Sequence, residues 1–98
     1  MVGGINLLTI EEFEKAFFCE GLLRKKTVRG TALSLTRIFI KILSLQGANN
    51  AEIGRILNRG RAVIGYHLLN TAPIEIKYAE KFIKNKKFRY DGGLGKYN

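Results

Sequence analysis

The residues of this chain best suited to chemistry are three arginines near its centre. Arg55, Arg59 and Arg61 lie close together, between apolar residues spaced as they are in short helices. A guanidinium group forms paired hydrogen bonds with a phosphate or with the major-groove edge of guanine. A second basic cluster, at residues 24–29, precedes them in the chain. These residue types therefore favour contact with a nucleic acid.

Catalysis and metal binding find little support in the sequence. The chain has one cysteine, Cys19, and one histidine, His67, which are too few for a zinc site built from these residues. The glycine-rich segment 92–95 lacks the spacing of a phosphate-binding loop. Glutamates at positions 11, 12 and 14 fall at a predicted helix start, where they stabilise the helix dipole. We therefore expect no catalytic residue, no cofactor and no bound metal.

The charge of the chain is high and unevenly distributed. The formal net charge is +9; residues 1–23 hold four glutamates and one lysine, a net −3, which leaves +12 on residues 24–98. Such an excess favours binding to a polyanion. Apolar residues make up 46% of the chain, enough for the core of one small domain.

The single cysteine and the hydropathy of the chain bear on the cellular compartment in which the protein is expected. A lone cysteine excludes an internal disulfide and suits a reducing cytoplasm, and we expect Cys19 to pack among Phe17, Phe18 and Leu22. The N-terminus lacks the pattern of a signal peptide, and no apolar run approaches the roughly 20 residues needed to cross a bilayer. We therefore expect a soluble cytoplasmic protein without a membrane partner.

Two short helices are predicted around the central arginines. Asn49 and Glu52 have the spacing of a capping box, which begins a helix. The apolar residues at 53, 56 and 57 then fall on one helix face. Residues 58–60, Asn-Arg-Gly, predict a sharp turn because Asn and Gly tolerate the left-handed backbone.

The second helix is predicted over residues 61–70. Its inward residues are expected to be Val63, Ile64 and Leu68. Gly54 of the first helix falls where the two helices should approach most closely, since a residue without a side chain lets two backbones come together.

This pattern resembles the helix-turn-helix of LuxR-type response regulators and of the fourth region of sigma factors. Those families have in order a glycine, a polar pair, a Glu-Ile-small triplet, a leucine, a turn, an apolar pair and a His-Leu pair. The residues that match are Gly47, Asn49-Asn50, Glu52-Ile53-Gly54, Leu57, residues 58–60, Val63-Ile64 and His67-Leu68. With Leu33-Ser34, the resemblance covers about 40 of 98 residues. A weaker resemblance to the C-terminal domain of DnaA rests on Glu52-Ile53-Gly54-Arg55.

The resemblance implies that the second helix enters the major groove of double-stranded DNA. The family positions that face the groove correspond to Gly60, Arg61, Ala62, Gly65, Tyr66 and Leu69. Candidates for contacts with base edges are Arg61, Ala62, Gly65 and Tyr66, of which Arg61 can pair with guanine. Candidates for phosphate contacts are Lys25, Lys26, Arg29, Asn49, Asn50, Arg55 and Arg59.

Two positions depart from these families. Arg59 stands where response regulators usually have an apolar residue, and Gly60-Arg61 stands where DnaA-like sequences have an Asp-His pair. The target sequence is therefore not inherited from either family. Because the remaining groove-facing positions are small or apolar, we expect modest sequence specificity and extensive backbone binding.

The whole pattern predicts an all-α fold of four to five helices, with a central tri-helical helix-turn-helix. Thr9 with Glu12 predicts a capping box at the start of the N-terminal helix. Gly47 predicts a left-handed end for the supporting helix, which is expected over residues 34–46. Pro73 predicts the start of a new helix. The predicted organisation of the single domain is an N-terminal helix at 9–23, a basic linker at 24–32, the supporting helix with the helix-turn-helix at 33–70, a C-terminal helix at 73–86 and a mobile tail at 87–98.

We therefore predict a DNA-binding protein, either a transcription regulator or an accessory factor of replication or of a mobile element. Related domains often bind as dimers, so a homodimer is one expectation. The alternative is a small helical adaptor that docks on a partner protein, because residues 65–69 are largely apolar. RNA binding is a third reading, but no aromatic residues follow the strand spacing of sheet-type RNA binders.

Overall fold

Five α-helices form the part of the protein that the computed structural model describes, residues 7–24 and 30–84. They are α1 (Ile10–Ala16), α2 (Thr31–Leu45), α3 (Asn50–Leu57), α4 (Arg61–Leu69) and α5 (Pro73–Lys84), with a short 3₁₀ helix at Leu22–Arg24. No strand occurs in these ranges, and the predicted all-α class is confirmed. None of the helices described is both long and apolar enough to cross a membrane.

Both predicted capping boxes are present. At α1, the Thr9 hydroxyl accepts from the Glu12 amide and the Glu12 carboxylate accepts from the Thr9 amide, each at 3.0 Å. At α3, Asn49 and Glu52 make the same reciprocal pair, each bond 2.8 Å long. Each box satisfies two backbone donors that a helix start would otherwise leave without a helical partner.

The N-terminal helix is shorter than its apolar pattern predicts. It ends at Ala16 rather than Leu23, because Phe18 and Gly21 take positive φ angles of 55° and 81° that a right-handed helix excludes. Phe18 is exposed, so the expectation that it packs around Cys19 is wrong. The turn brings Leu23 into the core, with its amide donating to the buried carboxylate of Glu14 at 3.2 Å.

The supporting helix α2 begins earlier than expected, at Thr31 instead of Ser34. Gly30 precedes it with a φ of 60°, and its carbonyl accepts from the Ser34 amide at 3.1 Å. At its other end, Gly47 has a φ of 104°, in agreement with the predicted left-handed end. The basic linker is thus shorter than expected, and its residues 25–29 lie outside the described part of the chain.

Helix α2 is the centre of the hydrophobic core. Its buried residues are Leu35, Thr36, Ile38, Phe39, Ile40, Ile42 and Leu43. Helices α3, α4 and α5 all pack against it, α5 most extensively. Phe13 of α1 stacks on Phe17 with ring centroids 4.1 Å apart and contacts Phe39 of α2 at 5.0 Å. This arrangement makes α2 the support on which α3 and α4 are positioned.

Cys19 belongs to this core, as expected from its apolar neighbours in the sequence. Burial, together with the nearby Glu14 carboxylate, raises the pKa of the Cys19 thiol to about 11. Because the thiolate is the reactive form, the neutral thiol serves in packing.

Helix α5 starts at Pro73, as predicted. The amide of Ala72 donates to the buried carboxylate of Glu75 at 2.7 Å, which satisfies a donor at the helix start. The helix is described to Lys84, so its predicted continuation to residue 86 and the predicted mobile tail at 87–98 lie outside the described residues.

Candidate nucleic-acid interface

Helices α3 and α4 are joined by a tight turn at residues 58–60. Asn58 ends α3 in the left-handed conformation, with φ 58° and ψ 49°. The Arg59 amide then donates to the Gly54 carbonyl at 2.8 Å, and Gly60 has extended backbone that leads into α4. The predicted turn is present, and its local hydrogen bonds fix how α4 leaves α3.

Gly54 is essential to this geometry. A Cβ atom at position 54 would lie 2.5 Å from the backbone oxygen of Arg59 and 3.5 Å from the backbone nitrogen of Arg61. The first distance is well inside van der Waals contact, so no larger side chain fits without moving the turn. The close approach predicted at Gly54 is therefore confirmed, although its partner is the turn backbone.

The outer face of α4, which we define as Ala62, Val63, Tyr66 and Leu69, is open to solvent. The exposed fractions are 42% for Val63, 59% for Tyr66 and 88% for Leu69, and Ala62 is also exposed. Ala62 and Val63 lie four and three residues before Tyr66, and Leu69 lies three residues after it, so the four share one broad side of the helix. Three of the four side chains are fully apolar, and the fourth carries one hydroxyl.

The inner face of α4 differs from its predicted composition in one residue. Ile64 is fully buried and Leu68 packs against the core, as predicted. Val63 was expected inside and is exposed, so that prediction is wrong. Its place in the interior is taken by His67, which is only 8% exposed.

Two of the three central arginines extend from the surface. Arg55 precedes the turn on α3, Arg61 follows it at the start of α4, and both are exposed. Arg59 is half-buried, and its guanidinium donates to the Leu57 carbonyl at 2.9 Å. The structure thus gives Arg59 a role in the turn, which competes with the phosphate contact expected of it.

The polar residues at the start of α3 also divide into two roles. The side-chain oxygen of Asn49 accepts, and its backbone N–H donates, a hydrogen bond in the capping box. These two groups therefore do not supply the phosphate contact that was expected of Asn49. Asn50 is exposed, and its side-chain nitrogen lies close to α4, 3.4 Å from where a Cβ on Gly65 would stand. Gly65 therefore faces α3 and is half-buried, which makes it a packing position. Lys25, Lys26 and Arg29 lie outside the described residues.

Arg37 on α2 belongs to this region, although the sequence analysis did not single it out as a site residue. Its Nε donates to Nδ1 of His67 at 3.2 Å, and an NH1 proton goes to the carbonyl of Asn70 at 3.1 Å. Its guanidinium carbon also lies 5.9 Å from the ring centroid of Tyr66. Arg37 therefore ties α2 to the C-terminal half of α4 and helps to orient Tyr66. The sequence signal was weak, since Arg37 is one of two basic residues, with Lys41, on a largely apolar helix.

Acidification is expected to destabilise the fold through His67. Burial lowers the pKa of His67, and the Arg37 and Arg59 guanidinium groups lower it further. The unfolded chain then takes up the proton at a higher pH than the folded chain does. The free energy of unfolding should therefore decrease as the pH falls below the ordinary value of 6.5.

The variant His67→Asn tests this expectation, since its side-chain oxygen can accept the same bond from Arg37. Urea unfolding at several pH values between 7 and 5 should show a smaller loss of stability in the variant than in the wild type. The carboxylates common to both proteins cancel in the comparison. Parallel profiles would show that His67 does not titrate in this range.

The described residues contain no group of three or more histidine, cysteine, aspartate or glutamate side chains placed to hold a metal ion. The region presents an exposed helix face, with exposed arginines at and before the start of that helix. No protein-family model matches this chain, and no curated protein or solved structure shows a significant match to it.

Proposed function

We propose that this protein binds double-stranded DNA through a helix-turn-helix formed by α3 and α4 with α2 as support. It would serve as a transcription regulator or as an accessory factor of replication or of a mobile element. The observation that carries the proposal is the exposed outer face of α4, which a tight turn joins to α3, with the exposed Arg55 before the turn and Arg61 after it in the chain.

In this proposal α4 lies in the major groove and α3 crosses the sugar-phosphate backbone. The groove is about 12 Å wide and admits one α-helix. Arg61 stands at the start of α4, where the side chains of a recognition helix come nearest to the base edges. Arg55 and Asn50 on α3 are then available to phosphates, which position the protein without reading sequence.

Charge supports the same partner. Residues 24–98, which include α3 and α4, carry a net charge of +12, whereas residues 1–23 carry −3. Each neutralised phosphate releases bound counterions, so the affinity of such a protein falls steeply with salt.

A titration of a labelled random duplex, followed by fluorescence anisotropy at several salt concentrations, tests the proposal. We expect dissociation constants on the order of 1–100 µM at physiological salt, and a linear decrease of log affinity with log salt. A single-stranded RNA of the same length should bind more weakly. No binding at low salt, or stronger binding to the RNA, would overturn the proposal.

The second candidate is an adaptor that docks on a protein. It is favoured by the same outer face, because Val63, Tyr66 and Leu69 present contiguous apolar surface, and such patches often mark interaction sites. An apolar docking surface should bind with little salt dependence. The salt series therefore separates the two candidates.

A further inference from the structure

We propose that the outer face of α4 recognises the C5-methyl groups of thymine, so that the protein prefers duplex DNA with thymines where this face meets the groove. The inference rests on the proposed DNA binding and adds to it the chemical feature that is read. Its basis is the unusual composition of the outer face, together with the charge around it.

The outer face has little with which to read polar base edges. Ala62, Val63 and Leu69 have no polar side-chain atoms, and Tyr66 has a single hydroxyl. At the end of the helix, the Asn70 side-chain nitrogen already donates to the Tyr66 carbonyl at 2.8 Å. Arg61, at the start of α4, is the residue equipped for a bidentate base contact on this exposed side.

The chemistry of the major groove makes such a face selective. Guanine presents two acceptors, cytosine a donor, and adenine one of each, whereas thymine presents an acceptor and a methyl group. An apolar side chain pressed against an unpaired donor or acceptor removes it from water without replacing its hydrogen bond. Against a methyl group, the same side chain buries apolar surface on both partners, which is favourable.

The surrounding charge indicates DNA as the occupant of this face. Arg61 adjoins it, and the exposed Arg55 lies on the other side of the turn. Residues 24–98, which contain this helix, carry a net charge of +12. A purely apolar protein partner would leave these guanidinium groups without complementary charge, whereas phosphates on both sides of the groove provide it.

Replacing thymine by deoxyuridine tests the inference directly. Deoxyuridine keeps every hydrogen-bonding group of thymine and lacks only the methyl. An A·T-rich duplex should lose about fourfold in affinity for each methyl contact removed, the equivalent of one buried methylene group. The reverse change, 5-methylcytosine in place of cytosine in a G·C-rich duplex, should increase affinity.

A pair of leucine variants locates the effect. Leu69→Ala should reduce the ratio of affinities for the thymine and deoxyuridine duplexes. Leu45→Ala, at the end of α2, should leave the ratio unchanged, because Leu45 borders a groove with Leu8 and Phe82 away from α4. Leu69 is 88% exposed and Leu45 is 44% exposed, so both variants should fold.

The outcomes of these experiments distinguish methyl recognition from the DNA binding on which it rests. Equal affinity for the thymine and deoxyuridine duplexes would overturn methyl recognition while leaving DNA binding in place. A ratio unchanged in Leu69→Ala would overturn the role of the outer face. Binding to neither duplex would overturn both proposals, and salt-independent capture of a protein through Leu69 would replace them with docking.

Discussion

Gly54→Ala is expected to destabilise the protein by about 3 kcal/mol, the upper part of the range for overpacking. The added Cβ would meet the Arg59 carbonyl oxygen at 2.5 Å. A side chain could rotate away from such a contact, but a backbone oxygen moves only with its turn. That oxygen belongs to the residue whose amide bonds Gly54 at 2.8 Å, so relief of the contact strains this bond too.

Gly65→Ala is the matched control, because Gly65 is also a helix-interior glycine of the same unit. Its added Cβ would meet only the Asn50 side-chain nitrogen, at 3.4 Å, which can shift. Since alanine favours helix by about 0.5–1 kcal/mol over glycine, this variant should be neutral or slightly more stable. Thermal and urea unfolding followed by circular dichroism measure both changes. Equal stabilities of the two variants would show that the turn yields to the extra atom.

These two glycines illustrate which parts of the fold the sequence could predict. The capping boxes and the α3–α4 turn arise from residues three or four positions apart, so their pattern specifies them almost completely. The close approach at Gly54 follows from the same local geometry. Predictions of this kind agree with the structure because few other contacts compete with them.

Features set by distant contacts were predicted less well. Arg37 and His67 are 30 residues apart, and nothing local in either segment indicates their hydrogen bond. Val63, which was expected inside, is exposed, and His67 is buried in the same helix because Arg37 supplies a polar partner for its ring. The early end of α1 likewise depends on tertiary burial of Leu23, which overrides the helical periodicity of the segment.

The candidate site residues differ in how available their side chains are to a ligand. Arg55 and Arg61 are exposed, whereas Arg59 is bonded within the turn and Asn49 within its capping box. Charge alone does not distinguish these roles, since all three arginines look alike in the sequence. Only the folded chain shows that Arg55 and Arg61 are exposed while Arg59 is bonded within the turn.

If the protein binds DNA as proposed, the double variant Arg55→Ala/Arg61→Ala should lose more affinity than a double variant at any other pair of surface residues in the described part of the chain. Each phosphate contact removed should reduce the magnitude of the salt slope by about 0.9. If Arg61 instead pairs with a guanine, its removal should cost about 1–3 kcal/mol of the preference for guanine at one base pair of the DNA site. The dependence of affinity on salt should then change less. Single variants, titrated by anisotropy over a salt series, separate these two contributions.

Lys77→Ala/Lys84→Ala removes the same charge from α5 and serves as the control. Both lysines are exposed, and their helix packs mainly on α2. If the polyanion had no preferred face on the protein, either pair would weaken binding about equally, because each removes two positive charges from the surface. A helix-turn-helix interface requires the arginine pair to have the greater effect and to change the salt slope more. Equal losses in the two double variants would mean that the protein binds DNA through its net charge and not through α3 and α4.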